Sequence, residues 1–304
     1  MPAAPTDTRT VTFSRIFPWV LRVGWLALPL ATRLAVSAWL RHRGPDLHLA
    51  AGIELWGAWA VGLVATLVPH PLSLTAVRLL APAGVAVAVG AAASNRPSAV
   101  AGAVAVAVTL LVAVLVYLPE TGTMFVNGAA YPNERRYLLR VPGPLVFGPL
   151  EFAWALIVAA PAIGGLLIGA RHWVLGPVIL VLAVGPAVLA ARSVHGLSRR
   201  WVVFVPAGFV LHDPVGLADP VLFERQGIAS VYPAPVETDA LDLTQRAFGL
   251  ALELALKDPV TLAISRPGNR TGEPKSPSRV LFTPTRPGAV LSTAAERRIP
   301  VGLA

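Results

Sequence analysis

Residues 99–118 read AVAGAVAVAVTLLVAVLVYL, twenty positions without a charge. A helix crosses the roughly 30 Å hydrocarbon core of a bilayer in about 20 residues. Lipid offers no partners to open backbone groups, so such a run must be helical. The same length recurs on either side. Residues 50–68 and 72–93 precede it, parted by a turn at Pro69 and Pro71; residues 147–170 and 173–191 follow, joined at Arg171 and His172. Five such runs in order are not the core helices of a soluble protein.

Composition agrees. Of 304 residues, 55% are hydrophobic and 13% charged, with mean hydropathy +0.66. Soluble domains carry about 25% charge. There is no cysteine, which excludes a disulfide scaffold and thiol chemistry. The net charge is +9, and only Lys257 and Lys275 are lysines. With no basic helix, zinc spacing or RNA-binding motif, these arginines point to membrane ends and anionic headgroups rather than nucleic acid.

Residues 17–40 are apolar but carry Arg22 and Arg33. Arg15, Arg22 and Arg33 are spaced by 7 and 11 and share a helical face. This fits an amphipathic helix in the interface. It also fits a sixth span whose arginines snorkel or face the bundle. A secretory signal with Val36 and Ala38 near its cleavage site is a third reading, but Arg22 and Arg33 interrupt the apolar core a signal needs. With five spans, arginines divide eight against six. With six, Arg9, Arg15, Arg22, Arg135, Arg136, Arg140, Arg192, Arg199 and Arg200 oppose Arg41, Arg43, Arg96 and Arg171. Nine against four follows the positive-inside tendency. The expectation is six spans in the inner (plasma) membrane, with both termini cytoplasmic.

After Ala191 the pattern changes. Both lysines and ten of the sixteen acids lie there. Alternation over 201–205 and 209–212, around the turn Pro206-Ala207-Gly208, predicts a hairpin. Leu250, Leu252, Leu254 and Leu256 alternate with Ala251, Glu253, Ala255 and Lys257, and the period of two predicts strand over helix propensity. Val260, Leu262 and Ile264 resume it, and 280–282 is another short strand. Thr285 is the expected cap of a last helix over 287–298. Residues 267–278, rich in Pro, Gly and Ser, predict a mobile loop. The division expected is a helical transmembrane domain over 1–198 and a cytoplasmic β-rich α+β domain over 199–304, a small barrel or sandwich with a C-terminal helix.

This last region resembles the bacterial PH-like domains attached to membrane helices. The residues carrying the resemblance are the 200–205 and 209–212 hairpin, the step Gly227-Ile228-Ala229-Ser230-Val231, and 280–282 leading into the last helix. The resemblance covers about a third of the chain. It implies a module that binds partners or lipid and supplies no catalytic residue. The whole chain also resembles multi-pass membrane proteins of unassigned function from high-GC bacteria.

Candidate site residues come first from charges inside spans, which are costly and often functional. Arg78 and Glu151 enter from the same side at similar depth, an expected intramembrane pair. Glu54, at the other end of its span, lies on the order of 10 Å in depth from Arg78. The connection 119–149 offers Tyr131, Glu134, Arg135, Arg136, Tyr137 and Arg140 as a binding loop, or as an interfacial loop fixed by tyrosine and arginine anchors. Arg266, Arg270, Lys275 and Arg279 are expected to face anionic lipid. Gly165 and Gly169 form a G-x-x-x-G helix-packing pattern. Pro82, Pro161, Pro177 and Pro186 are expected to kink their helices. The six histidines lack metal-ligand spacing, and no phosphate loop or G-x-S-x-G is present. No cofactor or metal is expected. The expected role is a non-enzymatic scaffold, regulator or assembly factor of an envelope complex, with anionic membrane lipids and other membrane proteins as partners. The alternatives are a small transporter or channel subunit with Arg78 and Glu151 on its path, and an enzyme acting on lipid-linked substrate.

Overall fold

The computed structural model describes residues 8–94, 96–266 and 269–302, with side chains from residue 16 onward except at 266 and 269–271. The chain divides into two compact units, each assembled from two stretches: Met1–Met124 with Trp154–Val188, and Phe125–Ala153 with Leu189–Ala304. This differs from a single cut after residue 198.

The first unit is helical. It holds α1 (Thr8–Leu40), α2 (Pro45–Leu67), α3 (Pro71–Ala93), α4 (Ala99–Tyr117) and the start of α5 (Pro119–Asn127). After α6 (Gly143–Val146), α7 (Pro149–Trp154), a π turn (Ala155–Ala159) and α8 (Ala160–Gly169) form one continuous rod, followed by α9 (Leu175–Leu197). Six helices are long and apolar enough to cross a membrane: Ile16–Leu40, Pro45–Leu67, Pro71–Ala93, Ala99–Tyr117, Pro149–Gly169 and Leu175–Leu197. The chain is a multi-pass membrane protein. Large apolar side chains such as Leu30, Val100 and Val181 are three-quarters exposed on these helices, a surface suited to the bilayer interior.

α1 is part of the bundle. Near one end, Arg22 Nε donates to Thr66 O in the last turn of α2. Near the other, Ala35 packs with Ala88, Ala91 and Ala105 of α3 and α4. α2 and α3 run in opposite directions, so the ends of α2 and α3 that α1 touches lie at opposite faces. A helix lying flat in one interface could not touch both. Alanines and glycines set the close approaches, as membrane helices require. A methyl on Gly102 would press Ala92 at 3.1 Å, and one on Gly164 would meet Leu180 of α9 at 2.8 Å. The kink expected at Pro161 takes the form of the π turn just before it. Pro177 lies in the first turn of α9, where no helix bond is lost, so it imposes no kink.

The second unit is built on two four-stranded sheets, a two-stranded sheet and a C-terminal helix. One sheet has the order β1–β2–β3–β4, from β1 (Arg135–Leu138), β2 (Trp201–Val205), β3 (Gly208–His212) and β4 (Val221–Glu224). The remaining strands are β5 (Ile228–Pro233), β6 (Leu241–Asp242), β7 (Leu252–Leu256), β8 (Leu262–Arg266), β9 (Asn269–Lys275) and β10 (Arg279–Phe282). The second sheet has the order β5–β7–β10–β6, and β8 pairs with β9. Phe204, Phe209, Phe223, Leu252, Leu254, Val280 and Phe282 fill one core, closed by Val290 and Ala294 of α10 (Pro287–Glu296). Alternate positions on β2, β3, β7 and β10 supply it, the period of two made physical.

Three expectations change here. The connection 119–149 is not irregular: it contains α5, β1 and α6, and β1 pairs antiparallel with β2, Arg135 opposite Phe204 and Leu138 opposite Trp201. Residues 269–275 are a strand, with Leu262 opposite Lys275 and Ile264 opposite Glu273. Backbone pairing overrides a Pro- and Gly-rich composition there, and Gly272 takes φ +72°. Thr285 does not cap α10. Its amide donates to Leu138 O, its hydroxyl is buried without a hydrogen-bond partner, and Arg286 holds the cap position.

Candidate functional site

Proline lacks an N–H, so the carbonyl four residues earlier loses its helix partner. In lipid that group must find another donor. Pro29 frees Trp25 O, and Trp59 Nε1 of α2 donates to it at 3.1 Å. The exchange is reciprocal: Trp25 Nε1 donates to Trp59 O at 3.0 Å. Gly62 makes room, since any Cβ there would overlap the Trp25 indole. Pro82 frees Arg78 O, and Tyr117 of α4 donates its hydroxyl at 2.8 Å. The neighbouring carbonyl, Leu79 O, accepts from Trp154 Nε1 at 2.9 Å. Two intrahelical prolines are thus each answered by an aromatic donor from another helix.

This explains the surroundings of Arg78. Its guanidinium lies over the Tyr117 ring, 5.8 Å from the centroid, and its Nε has no hydrogen-bond partner among the described residues. Glu151 belongs to the other unit, where its carboxylate accepts from Gly148 N at 2.6 Å. Glu151 is thus held within its own turn, while the Arg78 guanidinium has the Tyr117 ring beside it. Gly165 and Gly169 face α2. A methyl on Gly169 would meet Ala50 Cβ at 2.6 Å and Leu47 Cα at 3.2 Å, and one on Gly165 would strike the Glu54 carboxylate. At the same end Arg171 Nε pairs with Asp46 at 2.7 Å, exposed and therefore worth about 0–1 kcal/mol.

The connection residues divide by role. Tyr131 is 74% exposed, and Arg135 is exposed. Glu134 pairs with Arg136 at 2.7 Å, and Arg136 stacks over Trp201, 5.3 Å from its centroid. Trp201 in turn stacks on His212 at 5.1 Å. Asn127 brackets Arg136, accepting from its amide at 2.9 Å and donating to its carbonyl at 2.8 Å. Tyr137 is in the core, edge-on to Phe204 and 2.6 Å from the Thr293 hydroxyl. Arg140 donates its amide to Thr283 O, while its Nε is buried without a hydrogen-bond partner. These side chains mostly build the sheet; Tyr131 and Arg135 face outward.

The deepest charge pair escaped the sequence reading. Arg200, three residues past α9, and Asp213, one past β3, are each 1% exposed. Arg200 Nε and Nη2 donate to the two Asp213 oxygens, both at 2.7 Å, a bidentate pair. Arg200 Nη1 donates to Arg140 O at 2.7 Å. Asp213 also accepts from the amides of Val215 and Gly216. One guanidinium therefore ties the inter-helix connection, the exit from the last span and the end of the hairpin. Nothing in the spacing of these residues announces it.

A second buried acid, Glu253 on β7, is fully buried. It accepts from Tyr232 at 2.6 Å and Thr238 at 2.7 Å. Arg279 approaches it at 3.7 Å and pairs with Asp239. Burial, then the Glu253 hydrogen bond and charge, push the Tyr232 phenol up. Of the four expected lipid-facing cations, Arg279 is committed to these acids and Lys275 is exposed. The side chains of Arg266 and Arg270 lie outside the described residues. Among the described residues no three His, Asp or Glu side chains gather as metal ligands. Compared with protein-family models, curated proteins and solved structures, the chain matches none.

Proposed function

We propose that the chain is a non-catalytic membrane scaffold, in which a six-span anchor presents a PH-like two-sheet module at the cytoplasmic face of the inner membrane for assembly of an envelope complex. The observation that carries this reading is β1. The sheet takes one strand from the connection before the fifth span and the others from beyond the sixth. The chain enters and leaves the module twice, and within the module Arg200 and Asp213 tie those stretches together, which suits a presenting surface better than a tethered one. Two crossings separate β1 from β2, an even number, so both emerge on one face. The arginine count puts that face in the cytoplasm.

The test is extraction of the full chain from its native membranes in mild detergent, followed by native mass spectrometry. The scaffold reading expects a heteromeric complex of defined stoichiometry, lost in Asp213→Asn while membrane insertion persists. A lone species at native abundance refutes it. Single cysteines at positions 131 and 43 check orientation, since the chain has none of its own. A polar thiol reagent outside intact cells is expected to label 43 and spare 131.

A further inference from the structure

A cavity of about 320 Å³ lies among α1, α2, α3 and α4. That is within the range of small-molecule sites, about 300–1,000 Å³. Its cause is local: Pro29 interrupts α1, and α2 and α3 present small residues opposite it, Gly52, Ala58, Ala83 and Gly84. The aromatic wall is Trp25, Trp56 and Trp59, with Trp25 and Trp59 fixed by their reciprocal bonds and Trp56 edge-on to Trp59 at 5.3 Å.

One charge lines this apolar space. Arg33 has no ion pair, hydrogen bond or ring partner among the described residues, and it is exposed. It lies seven residues before the end of α1, about 10 Å down the axis. In a helix the Cα–Cβ bond tilts toward the N-terminus, so the Arg33 side chain leaves the backbone pointing away from the nearer membrane face. The hydroxyls in the lining, Thr32, Ser37 and Thr109, donate to carbonyls of their own helix. The remaining donors are the indole N–H of Trp56 and the Arg33 guanidinium, of which only Arg33 is cationic. Leu30 and Leu34 flank Arg33 and are 74% and 58% exposed, so the opening beside it faces the lipid-covered side of α1.

We propose that this cavity holds an acyl chain of an anionic membrane lipid, whose acidic head is drawn onto Arg33. Lipid enters sideways from the bilayer, the aromatic wall packs the chain, and Arg33 selects charge. An unpaired arginine at this depth is costly, and an anionic headgroup offsets that cost. The inference concerns the helical unit alone and stands apart from the scaffold reading.

The test is native mass spectrometry of the full chain in detergent with added phosphatidylglycerol, phosphatidylcholine or oleate. Wild type is expected to retain one phosphatidylglycerol at least tenfold more than phosphatidylcholine. Arg33→Gln lowers that retention about tenfold, and Arg33→Lys keeps most of it. Gly84→Leu provides an independent variant. A Cβ there meets only Thr109 Cγ2 at 4.0 Å, so the longer side chain enters the cavity while Arg33 is untouched; retention is expected to fall. Equal retention of both phospholipids overturns the proposal. So does loss in Arg33→Gln with full retention in Gly84→Leu, which would mean a surface charge contact without the cavity. Stronger retention of oleate than of phosphatidylglycerol overturns the assignment to a membrane lipid.

Discussion

Tyr117→Phe removes the hydroxyl that serves Arg78 O and leaves the ring under the Arg78 guanidinium. Pro82 cannot supply the missing donor, so the carbonyl loses its partner within the apolar span. Interhelical hydrogen bonds in membrane proteins average about 0.6 kcal/mol and reach about 1.7. A buried acceptor left unpaired costs about 1–3 kcal/mol. With no intrahelical alternative, the cost belongs in the upper part of the first range, ~1.5 kcal/mol. Pro82→Ala restores an N–H four residues after Arg78. In that background the tyrosine hydroxyl is redundant, and Tyr117→Phe is expected to cost ~0.5 kcal/mol or less. The double-mutant cycle therefore has a coupling energy of about 1 kcal/mol. Equilibrium unfolding in mixed micelles, titrated with sodium dodecyl sulfate and followed by far-UV circular dichroism, reads all four proteins. Equal cost of Tyr117→Phe in both backgrounds, within about 0.3 kcal/mol, would show that the hydroxyl does not stand in for the lost helix bond.

Asp213→Asn leaves the Arg200 charge buried without its counter-ion and is expected to cost about 3–5 kcal/mol in the β-rich unit, read by chemical denaturation with Trp201 as a reporter; full stability would remove the clasp. Gly169→Leu drives a side chain into Ala50 and Leu47 and is expected to cost about 1–3 kcal/mol by the same detergent titration, whereas unchanged stability would mean that α2 and α8 do not meet there. Tyr232 ionises in the unfolded chain near pH 10 but higher in the folded one, so its contribution is complete below about pH 10 and is lost as pH rises through the folded value. Thermal melts above pH 10 are expected to fall more steeply in wild type than in Tyr232→Phe, which is weaker at neutral pH because Glu253 loses a donor; parallel slopes would contradict this.

Length and hydropathy made the six helices legible, since crossing lipid leaves a pattern no other demand produces. The alternation over 201–212 and 252–256 exposed the strands for the same reason. What stayed hidden depended on distant pairing. Arg135–Leu138 is too short and too polar at its start to read as a strand, and only β2, more than sixty residues later, makes it one. Residues 269–275 looked like a loop because composition cannot show that β8 lies beside them. Arg78 reads as a costly charge, but the bond to its carbonyl is hidden by Pro82: the informative relation is a proline, a carbonyl four residues back on the same helix and an aromatic on a second helix. Arg200 and Asp213 stand thirteen apart on ordinary-looking turns. Arg33 reads in the sequence only as a charge on a helical face, because a cavity made of missing volume has no letter there.

The two devices found here answer the same difficulty at different places. A membrane helix that accepts a proline frees a carbonyl, and at Pro29 and Pro82 Trp59 and Tyr117 lend a donor across the bundle. A sheet whose strands are separated by two membrane crossings must wait for both. If either Pro149–Gly169 or Leu175–Leu197 failed to cross, β1 and β2 would lie on opposite faces, and the sheet could not form. The core around Phe204 would then lack Tyr137, and Arg200 would lack the Arg140 carbonyl it holds. Folding of the β-rich unit is thereby conditional on insertion of the last two spans. A soluble domain hung on a linker has no such dependence; one whose strands flank two membrane crossings does.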